Sequence, residues 1–366
     1  MTLKVQPSYL DGYAAQLGRG ADDATSVKRY LDQYRTDGNL NGPLIELAGT
    51  AQIRAMSTAA EAAAKAARIL HDSQEGLARA ATYYRTADVA AAARADATLP
   101  GRCAGALTAL EKEWAANECA PSFSDSREPS GRLKPVDDVK YTHPLSFMDD
   151  ISISNWMLKG FDFVFGFNPL DKASEFFIGD WQAVAKGGVA IGRAADALHD
   201  LGYNVQGGAI ALRGGWTGVA AGAAYQHFTG LAGGIDDLVN PIREISKQFD
   251  SIAHGVYSVS EAVTGWLKGI ADAAIIAGIA AAAGTVTAET GVGAVVGYGV
   301  ATVEVCEMLN MWADATAAMS KVYGFVQGAV GAIDALLPML QNASFPNLSG
   351  YNAYSNPLAI GPQVAS

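Results

Sequence analysis

The sequence is poor in the residues that most catalytic and metal sites require. Its 366 residues include only 3 cysteines and 5 histidines. No HExxH, GxSxG or P-loop pattern occurs, and Cys103, Cys119 and Cys306 have neither a CxxC spacing nor the histidine spacing of a zinc site. A continuous helix between Cys103 and Cys119 would hold them about 24 Å apart, beyond disulfide reach. We therefore predict no enzyme activity, no cofactor and no metal.

Basic residues are also scarce, with 26 Lys and Arg against 37 Asp and Glu and a net charge of −11. No stripe of basic side chains is present that would neutralise a phosphate backbone, so we predict that nucleic acid is not a partner. The first seven residues carry one lysine and no apolar core of the kind a secretory signal peptide needs. If the protein leaves the cell, we expect a route that is independent of such a peptide.

The first part of the chain has the apolar spacing of a helical hairpin. From Leu10 to Tyr34, apolar or small residues recur at alternating steps of three and four, which is typical of a helical seam. Turn-forming residues follow between Asp37 and Pro43, and an alanine-rich helix is predicted from about Thr50. We assign residues 1–98 to this hairpin. Because its seam is mostly small, the hairpin needs a partner surface of the same period to be stable.

The same spacing resumes in residues 181–212 and again in residues 228–252, with a glycine-rich turn between them. A second hairpin is therefore predicted over residues 173–265, and Pro241 should kink its second helix.

These two units predict an all-α protein in which two hairpins form an antiparallel four-helix bundle with a C-terminal helical extension. The extension covers residues 266–340, which are rich in small and hydrophobic residues. Residues 99–172 are predicted to form a helix followed by a proline-rich and aromatic linker that docks on the helices, and the polar residues 341–366 a disordered tail.

Two short motifs stand at the ends of the hairpins. Trp216-Thr217-Gly218 occupies the turn of the second hairpin, where glycine lets the chain leave a helix and tryptophan can pack across the helix ends. Tyr84 and Asp88 are separated by four positions at the far end of the first hairpin. On a helix this spacing places both side chains on one face, so we predict a single recognition surface. Replacing Tyr84 or Asp88 by alanine is accordingly expected to leave the fold intact.

With these motifs the chain resembles the WxG helical-hairpin (Esx-like) superfamily, which actinobacterial type VII (ESX) secretion systems export. The opening Leu3-Lys4-Val5-Gln6-Pro7 is similar to that of small ESX secretion-associated proteins. In this superfamily, paired hairpins form a four-helix bundle, and the YxxxD of one member lies near the WxG of the other as a bipartite export signal. Here both motifs belong to one chain. The resemblance implies an export signal made of Tyr84, Asp88, Trp216 and Gly218.

The resemblance also implies a function, a location and binding partners for the protein. It indicates a secreted or cell-surface protein without enzyme activity, acting at the bacterial envelope or the host interface. Its expected partners are the type VII secretion ATPase or a chaperone, together with a helical-hairpin partner or a second copy of itself.

Two alternative functions stay open from the sequence. Residues 273–288 and 290–303 carry no charge and are separated by Glu289. Each run is shorter than the roughly 20 residues that span a bilayer, which favours buried helices over a membrane-inserting or pore-forming hairpin at residues 270–305. Membrane contact, if it occurs, is predicted at Ile275, Ile276, Glu289, Gly291 and Gly297. The other alternative is a scaffold protein of the secretion apparatus.

Overall fold

A computed structural model describes residues 3–35, 40–87, 89–99, 123–138, 154–286 and 292–346, with the backbone alone for residues 89–90, 281–286 and 292–301. The described part is almost wholly helical, which confirms the all-α prediction. Cys103 and Cys119 lie outside the described residues. The helices are α1 (Pro7–Tyr34), α2 (Pro43–Thr86), α3 (Val89–Ala97), α4 (Asn155–Phe165), α5 (Pro169–Phe177), α6 (Trp181–Leu212), α7 (Val219–Asp236), α8 (Val239–Val286) and α9 (Val292–Gln341).

Long helices pack side by side around one hydrophobic core. Helix α1 packs along α2, and α8 packs along α9. Helix α6 contacts α1 as well as α7 and α8, while α9 also contacts α2. The predicted seam of α1 lies inside this core, since Leu10, Tyr13, Leu17, Ala24, Val27 and Leu31 are all buried.

Helix α2 begins earlier than predicted, at Pro43 rather than near Thr50. Proline is well suited to the first position of a helix, because the amide it lacks would have no partner there and its φ is already helical. Gly42 precedes it with φ +139°, a conformation that favours glycine. The extra turn buries Leu44 and Ile45 in the core.

The predicted kink at Pro241 is wrong in its position. Helix α7 ends at Asp236 and a new helix, α8, begins at Val239, so Pro241 occupies a first turn where its missing amide breaks no hydrogen bond. The apolar face continues across the break, and its predicted residues Phe228, Leu231, Ile235, Leu238, Ile242, Ile245, Phe249 and Ile252 are all buried. Helix α8 then runs without interruption to Val286, through the predicted boundary between second hairpin and extension.

Part of the predicted linker is bound firmly to the helices. Residues 123–138, which we call the strap, carry a short 3-10 helix (Pro129–Arg132) and contact α1 and α6. Asp200 of α6 is buried and accepts hydrogen bonds from Arg132 Nε at 2.6 Å and from Arg127 Nη1 at 3.3 Å. From α1, the hydroxyl of Tyr30 donates to the carbonyl of Lys134 at 2.7 Å. The strap therefore joins α1 to α6.

The aromatic part of the predicted linker is helical. In α4, Ser154 caps the first turn by accepting from the amide of Met157, and Gly166 ends the helix with φ +68°. Met157, Gly160 and Phe161 share one buried face, with Gly160 against the carbonyl of Ala274 on α8. The spacing of three and four was present, but the many aromatic residues on the other face masked it.

The first residues of the predicted tail are packed on the helices. Phe345 lies against Gly234 of α7, and Lys65 Nζ donates to the carbonyl of Ala343 at 3.1 Å. Residues 347–366 lie outside the described part of the chain.

Candidate recognition site at the Trp216 turn

The N-terminal strand holds the turn between α6 and α7, which comprises residues 213–218 and which we call the Trp216 turn. Strand β1 (Lys4–Val5) pairs antiparallel with β2 (Trp216–Thr217), with Val5 opposite Trp216. The amide of Gln6 donates to the carbonyl of Gly215 at 2.8 Å, and Lys4 Nζ donates to the carbonyl of Gly214 at 3.0 Å. The opening of the chain is thus part of the turn, which fixes the backbone on both sides of Trp216.

Tyr84, at the end of α2, packs against Trp216. The two ring centroids are 6.0 Å apart and the ring planes are inclined by 69°, an edge-to-face arrangement that aromatic pairs prefer. Tyr84 is 7% exposed and Trp216 is 1% exposed. Tyr84 therefore does not project from the protein as the predicted recognition surface, since its ring is covered by the Trp216 turn. Asp88 lies outside the described residues.

Burial also affects the ionisation of Tyr84 and the hydrogen bonding of Trp216. It raises the pKa of Tyr84 to about 12, because the phenolate would lose its hydration, and the nearby indole N–H of Trp216 opposes this rise only in part. Within the described part of the chain, Trp216 Nε1 makes no hydrogen bond of normal geometry. The pair is accordingly neutral at physiological pH, and its contact is one of packing.

Gly218 has a different role from the one predicted. It does not let the chain leave α6 but stands at the start of α7, with φ +133°. Residues other than glycine rarely adopt this backbone conformation. In addition, a Cβ at position 218 would lie 2.7 Å from Asp96 Oδ2 and 3.0 Å from Leu3 Cδ1. Glycine is required at this point by both the backbone and the two neighbours.

Asp96 of α3 is the functional candidate that sequence analysis missed. Its carboxylate accepts hydrogen bonds from the amides of Val219 at 2.9 Å and Ala220 at 3.0 Å, the first two residues of α7. Asp96 is 8% exposed. A helix that begins after glycine has no capping side chain of its own, so a cap from another segment was needed, but no spacing in the sequence pointed to Asp96.

The surroundings of the buried pair include exposed polar groups. Arg85 forms an ion pair with Asp11 of α1, and Thr86 and Thr217 face solvent. Tyr83 packs edge-on against Tyr84 with centroids 5.3 Å apart and is partly exposed. A partner that approaches this end of the protein meets these groups and not the rings of Tyr84 and Trp216.

The structure describes only some of the residues predicted to contact a membrane. Ile275 is half-buried and Ile276 is exposed on α8; Gly297 belongs to α9; Glu289 and Gly291 lie outside the described residues. Two helical stretches, Val219–Ala280 and Thr302–Gln341, are long and apolar enough to cross a membrane by length and composition alone. Core helices of water-soluble proteins pass the same test, so this observation does not discriminate between the alternatives.

Titratable clusters are sparse in the described part of the chain, which contains no group of three or more His, Cys, Asp or Glu residues able to hold a metal ion. Ser73 Oγ lies 3.0 Å from His227 Nε2 between α2 and α7. Burial lowers the pKa of His227 to about 4, so its imidazole is neutral at pH 7. His199 pairs with Asp236 at the surface, 2.9 Å away.

Comparison of the chain with protein-family models, curated proteins and solved structures gives no match. The functional argument therefore rests on the geometry of the Trp216 turn. That geometry brings together a strand from the N-terminus, the end of α2, the carboxylate of α3 and the start of α7.

Proposed function

We propose that this protein is a non-enzymatic substrate of an actinobacterial type VII (ESX) secretion system, exported without a signal peptide to the envelope or the host interface. The observation that supports the proposal is the contact between Tyr84 and Trp216. These residues belong to two short motifs in distant parts of the chain, and nothing in either motif alone requires them to meet. A bipartite signal requires such a meeting. The export signal would comprise Tyr84, Asp88, Trp216 and Gly218.

We further propose that the helical body corresponds to two hairpins joined as one four-helix unit. The first would be α1 with α2, and the second α6 with α7 and the start of α8. Support comes from the packing of α1 along α2 and of α6 against α1, α7 and α8. The strap adds to this support, because Asp200 and Tyr30 bind it from the two sides. In this arrangement each half supplies the partner surface that the small seam of the other needs.

The export proposal is tested by immunoblotting culture filtrate and cell lysate of the native host, with and without an inactivated type VII secretion ATPase. We expect the protein in the filtrate of the intact strain and only in the lysate of the inactivated one. A cytosolic marker controls for lysis. Unchanged partitioning between the two strains would remove export by this system from consideration, and retention in the envelope of both strains would favour a scaffold role.

Variants then test the signal itself. Tyr84→Ala and Asp88→Ala should abolish export, and Tyr257→Ala serves as the matched control. Tyr257 and Glu261 have the same spacing on α8, where Tyr257 is only half-buried and lies in another part of the chain. Because Tyr84 is buried, its alanine variant must be shown to be folded by circular dichroism before the export result is used. Export of both motif variants at the normal level would contradict the signal.

A membrane-active role is the second candidate, and the distribution of exposed apolar side chains favours it. Most of the large exposed hydrophobic residues lie on α4, late in α8 and early in α9. These parts adjoin one another, since Gly278 of α8 lies against the carbonyl of Trp156 and the ring of Trp312 is 6.0 Å from that of Phe165. The exposed residues in these parts are Trp156, Leu158, Phe163, Ile276, Ile279, Val303 and Leu309, together with Phe167 just after α4. A patch of this kind marks a site of contact with protein or lipid.

Flotation with liposomes distinguishes this candidate. A membrane-active protein should rise with vesicles of neutral phospholipid, whereas a protein without this activity should stay at the bottom of the gradient. Phe163 is 69% exposed, so Phe163→Ser should weaken flotation without harming the fold. Phe161→Ser is not a suitable control because Phe161 is buried. Phe325→Ser is the control, because Phe325 is also an exposed phenylalanine, at 45%, and lies further along α9 outside this group of residues.

A further inference from the structure

We infer that Asp96 is a positioning residue of the export signal, which fixes α3 next to the Trp216 turn by capping helix α7. This inference rests on the proposed function, because it assigns a role within the same site. It concerns a residue outside both motifs, and the geometry around Gly218 carries it.

The start of α7 lacks a cap of its own. The first amides of a helix have no partner within the helix, and a Ser, Thr, Asp or Asn at the preceding position normally supplies one. That position is Gly218, which has no side chain. The two oxygens of Asp96 take the place of a cap, one on the amide of Val219 and the other on that of Ala220, from a position 123 residues earlier than Val219. A carboxylate is also favoured there by the positive end of the helix dipole.

The glycine of the motif and the carboxylate of Asp96 are matched to each other. A Cβ on residue 218 would lie 2.7 Å from Asp96 Oδ2, closer than such atoms can approach. Glycine is thus required at position 218 for a second reason besides the positive φ. Without a Cβ, it leaves room for the Asp96 carboxylate to reach the amides of Val219 and Ala220. This explains in physical terms why the third residue of the motif is glycine.

Asp96 is one of two anchors that stand on either side of position 88 in the sequence. Tyr84 anchors the end of α2 by packing on Trp216, and Asp96 anchors α3 on the first residues of α7, directly after the same turn. Ala92, one helical turn before Asp96, is buried as well, whereas Arg94 faces solvent. Helix α3 is therefore held against the start of α7 by one face, and the face that carries Arg94 remains accessible to a partner.

The two anchors differ in chemistry. The Tyr84 contact is apolar and tolerates small shifts, while the Asp96 contact consists of two directed hydrogen bonds that fix the rotation of α3 about its axis. Loss of Asp96 should leave the core packed but free α3 from the turn. If the secretion ATPase reads this segment, a freed α3 presents it in many orientations and export falls.

The test compares Asp96→Ala with Asp180→Ala in the full-length chain. Asp180 is the matched control, because it caps helix α6 by accepting from the amide of Ala183 at 2.9 Å. It stands at the opposite end of that helix from the Trp216 turn, roughly 45 Å away for a helix of this length. Both substitutions remove one cap, but Asp96 is buried and accepts two hydrogen bonds whereas Asp180 is exposed and accepts one, so urea unfolding of both variants measures how much stability each loses.

Two readouts are taken from each variant: amide hydrogen exchange of residues 89–99 in the purified protein, and the fraction of protein exported by the native host. We expect Asp96→Ala to accelerate exchange in this segment by roughly 5- to 30-fold and to reduce export severely. Asp180→Ala should change neither. Asp96→Asn retains one acceptor oxygen and should fall between wild type and Asp96→Ala in both readouts, which provides a variant if the alanine protein does not fold.

The outcomes separate this inference from the proposal beneath it. Unchanged exchange in residues 89–99 of the Asp96→Ala protein would overturn the positioning role. Normal export of Asp96→Ala in a host that retains Tyr84→Ala in the cell would also overturn the positioning role. The proposed export signal would not be contradicted by this result. Equal loss of export with Asp180→Ala would reduce Asp96 to a stability effect. Normal export of every variant, Tyr84→Ala included, would overturn the proposed function.

Discussion

The edge of the Tyr84 ring meets the indole of Trp216 inside the protein, with ring centroids 6.0 Å apart. The contact makes Tyr84 a structural residue, whatever partner reads this end of the molecule. Tyr84→Ala should therefore lower the free energy of unfolding by about 2–4 kcal/mol, because it leaves a cavity beside Trp216. Tyr84→Phe keeps the ring and should cost less than about 1 kcal/mol. Urea unfolding of both variants checks the difference, and equal stabilities would show that the ring is not packed.

The second prediction concerns Gly218. Gly218→Ala should destabilise the protein by about 1–3 kcal/mol, because φ +133° is strained for alanine and its Cβ would displace Asp96. Gly233→Ala is the control in the same helix. A Cβ at position 233 meets nothing within 4 Å, so this change should stabilise α7 by about 0.5–1 kcal/mol. A melting temperature that shifted in the same direction for both variants would contradict the assigned role of Gly218.

Asp23 should make stability depend on pH. Burial raises the pKa of its carboxyl from 3.8 to about 6, and the negative charges of Asp125 and Asp22 add to this effect. The folded protein therefore binds this proton more tightly than the unfolded chain. The stabilising contribution appears as the pH falls through 6 towards 3.8, whereas at pH 7 the ionised carboxylate is unfavourable.

Asp23→Asn should consequently raise the free energy of unfolding at pH 7 by about 1–2 kcal/mol, a value reduced for the partial exposure of the group, and change it little at pH 4. Asp72→Asn is the control, since Asp72 is exposed on α2 and is not among the charges that act on Asp23. Urea unfolding at the two pH values measures the effect. A gain at pH 4 as large as that at pH 7 would show that charge is not its cause.

The pKa shift of His227 should change stability with pH in the direction opposite to that of Asp23. Burial lowers its pKa from 6.5 to about 4, so the unfolded chain binds the proton first. Stability due to the neutral imidazole is fully present above pH 6.5 and is lost as the pH falls towards 4, by roughly 1–3 kcal/mol in total. His227→Gln should flatten this part of the stability profile. His71→Gln, at an exposed position, should not. A profile of equal slope in both variants would exclude His227 as the source.

Much of the fold follows from local sequence. The steps of three and four between apolar residues predicted α1, α6 and the apolar face shared by α7 and α8, because the helical period places such residues on one side. The errors are local as well. The start of α2 and the break before Pro241 depend on single residues at helix ends. Helix α4 was missed because its exposed face, with Trp156 and Phe163, is more aromatic than its buried face, which has only Phe161.

The site was less accessible to sequence reasoning. Two motifs directed attention to Tyr84, Trp216 and Gly218, but they could not indicate that the two rings are buried against each other. Burial depends on which segments cover a residue, and here Trp216 packs on Tyr84 while the N-terminal strand pairs beside Trp216. The spacing of four between Tyr84 and Asp88 suggested an exposed face because helical periodicity describes directions on a helix and not the neighbours that lie in those directions.

What the sequence by itself determined is therefore the helical class, the composition of the core and the position of the turn that contains Trp216 and Gly218. Only the tertiary structure decided that Asp96 caps that helix and that strand Lys4–Val5 closes the turn. The physical reason lies in the range of the interactions. Helical periodicity and glycine conformation act within a few neighbouring residues, whereas the hydrogen bond from Val219 to Asp96 joins positions 123 residues apart that no local pattern connects.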